Sequence, residues 1–325
     1  MGRIEEALAK LQAKGRDKGA GPAGTADGAA PRSDGASSAP AVNGGNTQRI
    51  ARIAERSASS VVHKYGGRSI EIDVDALRAN GLLAPDTAMQ RMGEEYRIIK
   101  RPLLVNADPT REPVTPLGNL IMVASALSGE GKTFTCVNLC MSIARERDWT
   151  VVLVDGDCIK PQLTQLFSAE REPGLLDLLK DPTLSFESVV MPTSIPGVSL
   201  LPAGRRDAQS SELLASRRMT ELCEQISAQD PNRIILFDSS PLLLTSEATV
   251  LAEKVGQIVV VVRANSTPRQ AVISALEKVD RSKPVACVLN QQSARFGLVE
   301  SYYGYGDYRY SDARSAGDDG VGKAP

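Results

Sequence analysis

The run Ala126-Leu127-Ser128-Gly129-Glu130-Gly131-Lys132-Thr133 constrains this chain more than any other stretch. It follows the apolar segment Ile121–Ala124 and precedes a helical pattern running from Phe134 to Ala144. A glycine-rich turn between a strand and a helix, closed by Lys-Thr, is the arrangement that cradles phosphates. Its glycines let backbone N–H groups turn inward, and the N-terminus of the helix adds positive potential. On this reading Ser128, Gly129, Glu130, Gly131, Lys132, Thr133 and Phe134 contact a nucleotide. Lys132 reaches the β- and γ-phosphates, and the Thr133 hydroxyl binds Mg²⁺. One departure is Ala126, a small residue where a first glycine is usual.

The pattern around this loop predicts an α/β fold. Apolar runs rich in Val, Ile and Leu recur at 119–126, 150–157, 233–240, 257–264 and 285–291. Continuous runs, rather than alternating ones, predict strands buried on both faces of a parallel sheet. Helical patterns lie between them at 131–147, 211–229, 245–254 and 268–282, so the sheet is doubly wound and mostly parallel. Two of the runs end in acids: Asp155-Gly156-Asp157 after Val151–Val154, and Asp238 after Ile234–Phe237. Open α/β sheets bind ligands outside the carboxyl ends of their strands, which places Asp155, Asp157 and Asp238 on the rim of the phosphate loop. Acids there can hold Mg²⁺ or take a proton from an attacking hydroxyl.

Outside this domain the composition changes sharply. Residues 1–14 carry Ile4, Leu8 and Leu11 at helical spacing, and 15–48 collapse to Gly, Ala, Ser and Pro, a disordered linker by composition. An extension at 49–104 contains a strand-then-helix pattern (IEIDVDALRANGLLAP) and a helix candidate at 94–104 ending near Pro102. The domain at 105–296 then gives way to a polar tail, 297–325. A net charge of −1 creates no field that attracts nucleic acid. No apolar stretch reaches the roughly 18 residues of a spanning helix, and acids stand where a signal peptide's apolar core belongs, which predicts a cytoplasmic protein. Five widely spaced cysteines without a CxxC pair suit a reducing compartment, Cys136 and Cys140 read as core residues, and the single histidine, His63, leaves little for a His-based metal site.

The tail concentrates five of the seven tyrosines, Tyr302, Tyr303, Tyr305, Tyr308 and Tyr310, among Gly304, Gly306 and Asp307. It lacks the dense basic residues that single-stranded nucleic acid favours. Clustered hydroxyls on a mobile segment suit phosphoryl acceptance, because reach and freedom to align in line are what transfer needs.

Together the segments SALSGEGKT, VVLVDGDCIKP and IILFDSSP resemble the Walker A, A′ and B motifs of bacterial tyrosine kinases, a branch of the MinD/ParA-like P-loop NTPases. The flanking RIEEALAKLQ, EEYRIIKRPLL, GLLDLL, LPAG and SELLAS narrow the resemblance to stand-alone autokinases of exopolysaccharide and exosortase systems. The resemblance implies ATP and Mg²⁺ as cofactors. It gives Lys132 and Thr133 to the phosphates and metal, and Asp238 and Asp157 to the metal. Asp155 is the favoured base and Asn290 the adenine contact. Glu94, Arg97 and Lys100 match an E-x-x-R-x-x-R oligomerisation motif, with Lys at the last Arg, and three-residue spacing sets them along one helix. Ile159 stands where these kinases often carry Arg. The implied activity is autophosphorylation of the tail in trans within a homo-oligomer. The implied partner is a membrane polysaccharide chain-length regulator that recruits the protein to the inner face of the plasma membrane. Two alternatives remain: a ParA/MinD-type positioning ATPase, opposed by Leu127 where that group carries a signature Lys, and a non-catalytic nucleotide-gated adaptor.

Overall fold

Seven Val-, Ile- and Leu-rich segments pair into one sheet: β1 Leu120–Ser125, β2 Thr150–Asp155, β3 Met191–Pro192, β4 Val198–Leu201, β5 Arg233–Asp238, β6 Gln257–Arg263 and β7 Val285–Asn290. Their order is β3-β4-β2-β5-β1-β6-β7, parallel except for the antiparallel β3–β4 pair at one edge. The computed structural model describes residues 65–83 and 89–292. The N-terminal helix and linker anticipated at 1–48, and the tyrosine cluster, lie outside the described residues.

Alternate strand residues feed two cores, as the period of two requires. Leu120, Met122, Val152, Val154, Ile235, Phe237, Ile258 and Val260 belong to one cluster, while Ile121, Val123, Val151, Leu153, Ile234, Leu236, Val259 and Val261 belong to the other. The inner strands are therefore covered on both sides, which is why they read as unbroken apolar runs. The edge strand β7, expected to be buried on both faces, instead leaves Val285, Cys287 and Leu289 exposed.

Ten helices are described: α1 Val74–Ala79, α2 Met89–Ala107, α3 Lys132–Ile143, α4 Gln162–Leu166, α5 Leu175–Lys180, α6 Phe186–Val189, α7 Ser210–Ala215, α8 Arg217–Gln229, α9 Ser246–Lys254 and α10 Arg269–Leu276. The first core is completed from α5, α8 and α9, the second from α2 and α3.

Several boundaries move from their expected places for local reasons. The pattern at 211–229 is two helices because Ser216 adopts extended backbone (φ −62°, ψ 157°), and its hydroxyl donates to the Leu213 carbonyl while accepting from Met219 N–H. The strand expected before α1 shrinks to a single parallel bridge, Ile70 to Thr193. Helix α2 runs through Pro102 to Ala107 instead of ending there. Proline removes the N–H that would bond the Ile98 carbonyl, but both residues are exposed, where water can serve that carbonyl. Tyr96, Leu103 and Ala107 of α2 enter the second core, and the buried Gln257 of β6 donates to the Leu103 carbonyl (3.0 Å). The described part of the extension and the sheet thus share one interior, with α2 crossing residue 104.

Candidate nucleotide site

The loop from Ala126 to Gly131 leaves β1 at its carboxyl end and opens α3. Gly129 and Gly131 have φ of 80° and 94°, a left-handed conformation that favours glycine. A Cβ on Gly131 would also collide with Asn290 Nδ2. No side chain caps α3, whose N-cap is Gly131, so its first N–H groups face the loop's concavity. Glu130 does not join that concavity. Its carboxylate is buried, accepting from Leu127 N–H (2.7 Å) and from the Thr267 hydroxyl, so it braces the loop from beneath. Asn290, at the end of β7, donates to the Glu130 carbonyl (2.9 Å), which brings it to the loop's flank.

The register of the sheet brings the acids together. Asp238 lies beside Val123 of β1 on one side and Asp155 of β2 on the other. The Thr133 hydroxyl is 2.7 Å from Asp238 Oδ2 and 3.0 Å from Gln162 Oε1. One hydroxyl proton cannot serve both acceptors at once. Asp155 is fully buried, and its Oδ2 accepts from Thr164 N–H and Oγ1, each 2.8 Å. Asp157 is half-buried at the mouth and accepts from Lys160 N–H (2.9 Å).

Burial raises the Asp155 pKa to about 6 and the Asp238 pKa to about 7, and pushes Asp157 up as well. Lys132 offsets part of this for Asp157 and Asp238. One oxygen of Asp155 and one of Asp238, the Oδ1 atoms, are buried without a hydrogen-bond partner. Buried carboxylate oxygens left unpaired beside a threonine hydroxyl are costly unless a cation completes them.

The structure therefore assembles Lys132, Thr133, Asp155, Asp157, Asp238 and Asn290 around one loop. It does not bring Glu94, Arg97 and Lys100 to a common face. Glu94 and Arg97 pair at the surface (2.6 Å), while buried Lys100 donates to the Ser142 carbonyl (2.6 Å) and pairs with Glu146 (2.7 Å). Each three-residue step turns a helix back by about 60°, so two steps rotate Lys100 inward. Gln162, Thr164 and Thr267 also serve the site, and no motif in the sequence marked them.

A parallel sheet with this loop and these acids at its carboxyl rim defines a P-loop NTPase. Residues 121–285 match the CobQ/CobB/MinD/ParA nucleotide binding domain, just over half of the chain. The chain belongs to that family. It is similar to the tyrosine-protein kinase wzc of Salmonella typhi, 30% identical over 198 residues, which are 60% of this chain and 27% of that one. It is also similar to the tyrosine-protein kinase YwqD of Bacillus subtilis strain 168, 29% identical over 58% of this chain and 78% of that one. The chain spans about a quarter of the length of several curated relatives it matches. Its fold resembles the kinase domain of Escherichia coli tyrosine kinase ETK, with a TM-score of 0.54 at 21% identity, covering 70% of this chain and 91% of that one. Among the described residues no helix is long and apolar enough to cross a membrane.

Proposed function

We propose that the chain is an ATP-dependent protein-tyrosine kinase that phosphorylates the tyrosine cluster of a second copy of itself, in the control of exopolysaccharide synthesis or export. The observation that supports the nucleotide half of this reading is the pair of buried carboxylate oxygens without partners, Oδ1 of Asp155 and of Asp238, with Asp238 bonded through its other oxygen to Thr133 of the phosphate loop. Backbone N–H groups of residues 128–133 wrap the phosphates, and Lys132 pairs with the terminal ones. Asn290, at the loop's flank, is the candidate adenine contact. Thr133 and Asp238 would hold Mg²⁺, with Asp157 at the edge of the same cluster. Among the described residues no group of three or more His, Cys, Asp or Glu could hold a metal alone. That suits Mg²⁺, which binds through one or two carboxylates and keeps water and phosphate as its other ligands. When bound, the ion offsets charge on the transferring phosphoryl oxygens.

The acceptor hydroxyl approaches from the mouth. Its oxygen forms a bond to the γ-phosphorus as the bond to the β–γ bridging oxygen breaks, ADP leaves, and the phenolic proton passes to a carboxylate. Motif resemblance favours Asp155 as that base, but Asp155 has no exposed surface and is held by Thr164. Asp157, half-exposed at the mouth, is the carboxylate a tyrosine can reach. The choice of acceptor has physical support too. Tyr65 and Tyr96, the two tyrosines outside the tail, are both buried, and the Tyr65 hydroxyl lies 3.3 Å from Arg233 Nη1. Only the cluster at 302–310 remains. Its charge, once phosphorylated, would loosen a homo-oligomer, and a membrane-bound polysaccharide regulator with a cytoplasmic activating segment is the proposed partner.

The test is to incubate the full chain with MgATP, alone and with the cytoplasmic segment of a candidate regulator, then map phosphopeptides. Phosphotyrosine is expected within residues 302–310 and is lost in Lys132→Met. Phosphate release with no phosphotyrosine under any activation would overturn the kinase reading in favour of a positioning ATPase.

A further inference from the structure

Two large apolar side chains stand exposed at the mouth of the phosphate site. Ile159 is 42% exposed and Leu244 is 59% exposed. Each sits on a bend or turn that follows a site strand, Ile159 two residues after Asp157 and Leu244 six residues after Asp238. Both turns are pinned. Asp157 accepts from Lys160 N–H, which fixes the first. Leu242 and Leu243 N–H donate to the carbonyls of Ser125 and Ala126 (2.8 and 3.3 Å), which fixes the second beside the phosphate loop. Leu242 enters the core while Leu244 points out. Because β2 and β5 are neighbours, with Asp155 beside Asp238, the two apolar residues belong to turns that flank the carboxylates.

Scattered apolar surface residues need no explanation, but two on pinned segments that follow neighbouring site strands offer apolar area for a platform at the same rim. Basic residues follow the strands of the same rim. Lys160, and Arg205 and Arg206 after the neighbouring β4, are exposed and make no ion pair among the described residues.

We infer that Ile159 and Leu244 are specificity-determining residues that grip the aromatic rings flanking the reacting tyrosine, in the segment Glu300–Asp312 of a second copy of this chain. The inference rests on the kinase reading above. That segment complements the mouth: it carries five tyrosines, and the acids Glu300, Asp307 and Asp312 against the single base Arg309. Every tyrosine in it has another within two residues, for example Tyr303 between Tyr302 and Tyr305. A ring on an aliphatic side chain removes apolar area from water on both partners. The basic residues select for acids without contacting the reaction centre.

The experiment uses full-length Lys132→Met chain as acceptor and catalytic amounts of full-length enzyme. In two acceptors Tyr303 is kept and the other four tail tyrosines are replaced, by Phe in one and by Ser in the other. The Phe acceptor should keep the KM of its parent, whereas the Ser acceptor should raise KM about tenfold, which is about 1.4 kcal/mol of acceptor binding. The enzyme Ile159→Ser/Leu244→Ser should raise KM for the Phe acceptor by a similar factor and abolish the difference between the two acceptors. Its affinity for a fluorescent ATP analogue and its melting temperature should be unchanged. Equal KM for the two acceptors with the unaltered enzyme overturns the platform, as does ring discrimination that persists in the doubly substituted enzyme. Absence of phosphotyrosine in every arm overturns the kinase reading and this inference together.

Discussion

Asp155 sits wholly inside the protein with one oxygen tied to Thr164 and the other unpaired, and its pKa rises from 3.8 to about 6 through burial. Between about pH 4 and pH 6 the folded, metal-free chain therefore holds a proton that the unfolded chain has released. Stability falls with rising pH wherever the folded state binds more protons. Above pH 6 the buried carboxylate costs on the order of 2–3 kcal/mol, from a shift of about two units. Asp155→Asn keeps an oxygen for Thr164 and removes the charge. Urea unfolding in a chelator should show the variant more stable than the parent by that order at pH 7, with the gap closing below pH 4. A variant less stable at pH 7 would mean that the Thr164 bonds outweigh the buried charge. Residues selected for a metal and a phosphate are expected to weaken the empty fold in this way.

Helix α2 separates what a motif names from what a helix does. Glu94 and Arg97 are more than half exposed, and exposed ion pairs contribute about 0–1 kcal/mol. Lys100 fills a buried position between α2 and the end of α3, where losing a charged donor costs about 1–3 kcal/mol. Arg97→Ala should leave the unfolding midpoint nearly unchanged and weaken self-association in sedimentation experiments. Lys100→Ala should lower the midpoint whether or not copies associate. The reverse pattern would remove α2 from any interface. The same element explains what the sequence could disclose. Long apolar runs identify β1, β2, β5 and β6 because both faces are buried, the run at 285–291 marks the edge strand β7 although Val285, Cys287 and Leu289 are exposed, and a glycine-rich loop opening a helix identifies the phosphate site. Between residues 162 and 201 lie three helices of four to six residues and the strands β3 and β4 of two and four. Such segments are too short for a period to declare itself. Gln162, Thr164 and Thr267 reach the site through tertiary packing, so nothing local marks them, and the inward turn of Lys100 follows from helix phase rather than from its spacing in the motif.

At the scale of the whole molecule, the proposed kinase activity predicts that phosphorylation of the tail would convert a local charge change into a change of assembly. The chain begins near neutrality, at −1. Five phosphotyrosines at about −1.5 to −2 each would bring it to roughly −9 to −11, all of the change within nine residues. Copies whose tails meet neighbouring phosphate sites would then carry like charge at each contact, beside the site carboxylates Asp155, Asp157 and Asp238. Repulsion of this kind weakens within a Debye length of about 8 Å at physiological salt. The full chain incubated with MgATP should therefore sediment as smaller species than the untreated chain, with the difference shrinking as salt rises. The variant with all five tail tyrosines changed to Phe should keep its assembly in MgATP, because it retains the rings and gains no charge. If that variant dissociates on nucleotide addition alone, nucleotide rather than tail charge drives disassembly, and the tail's role is confined to supplying the acceptor.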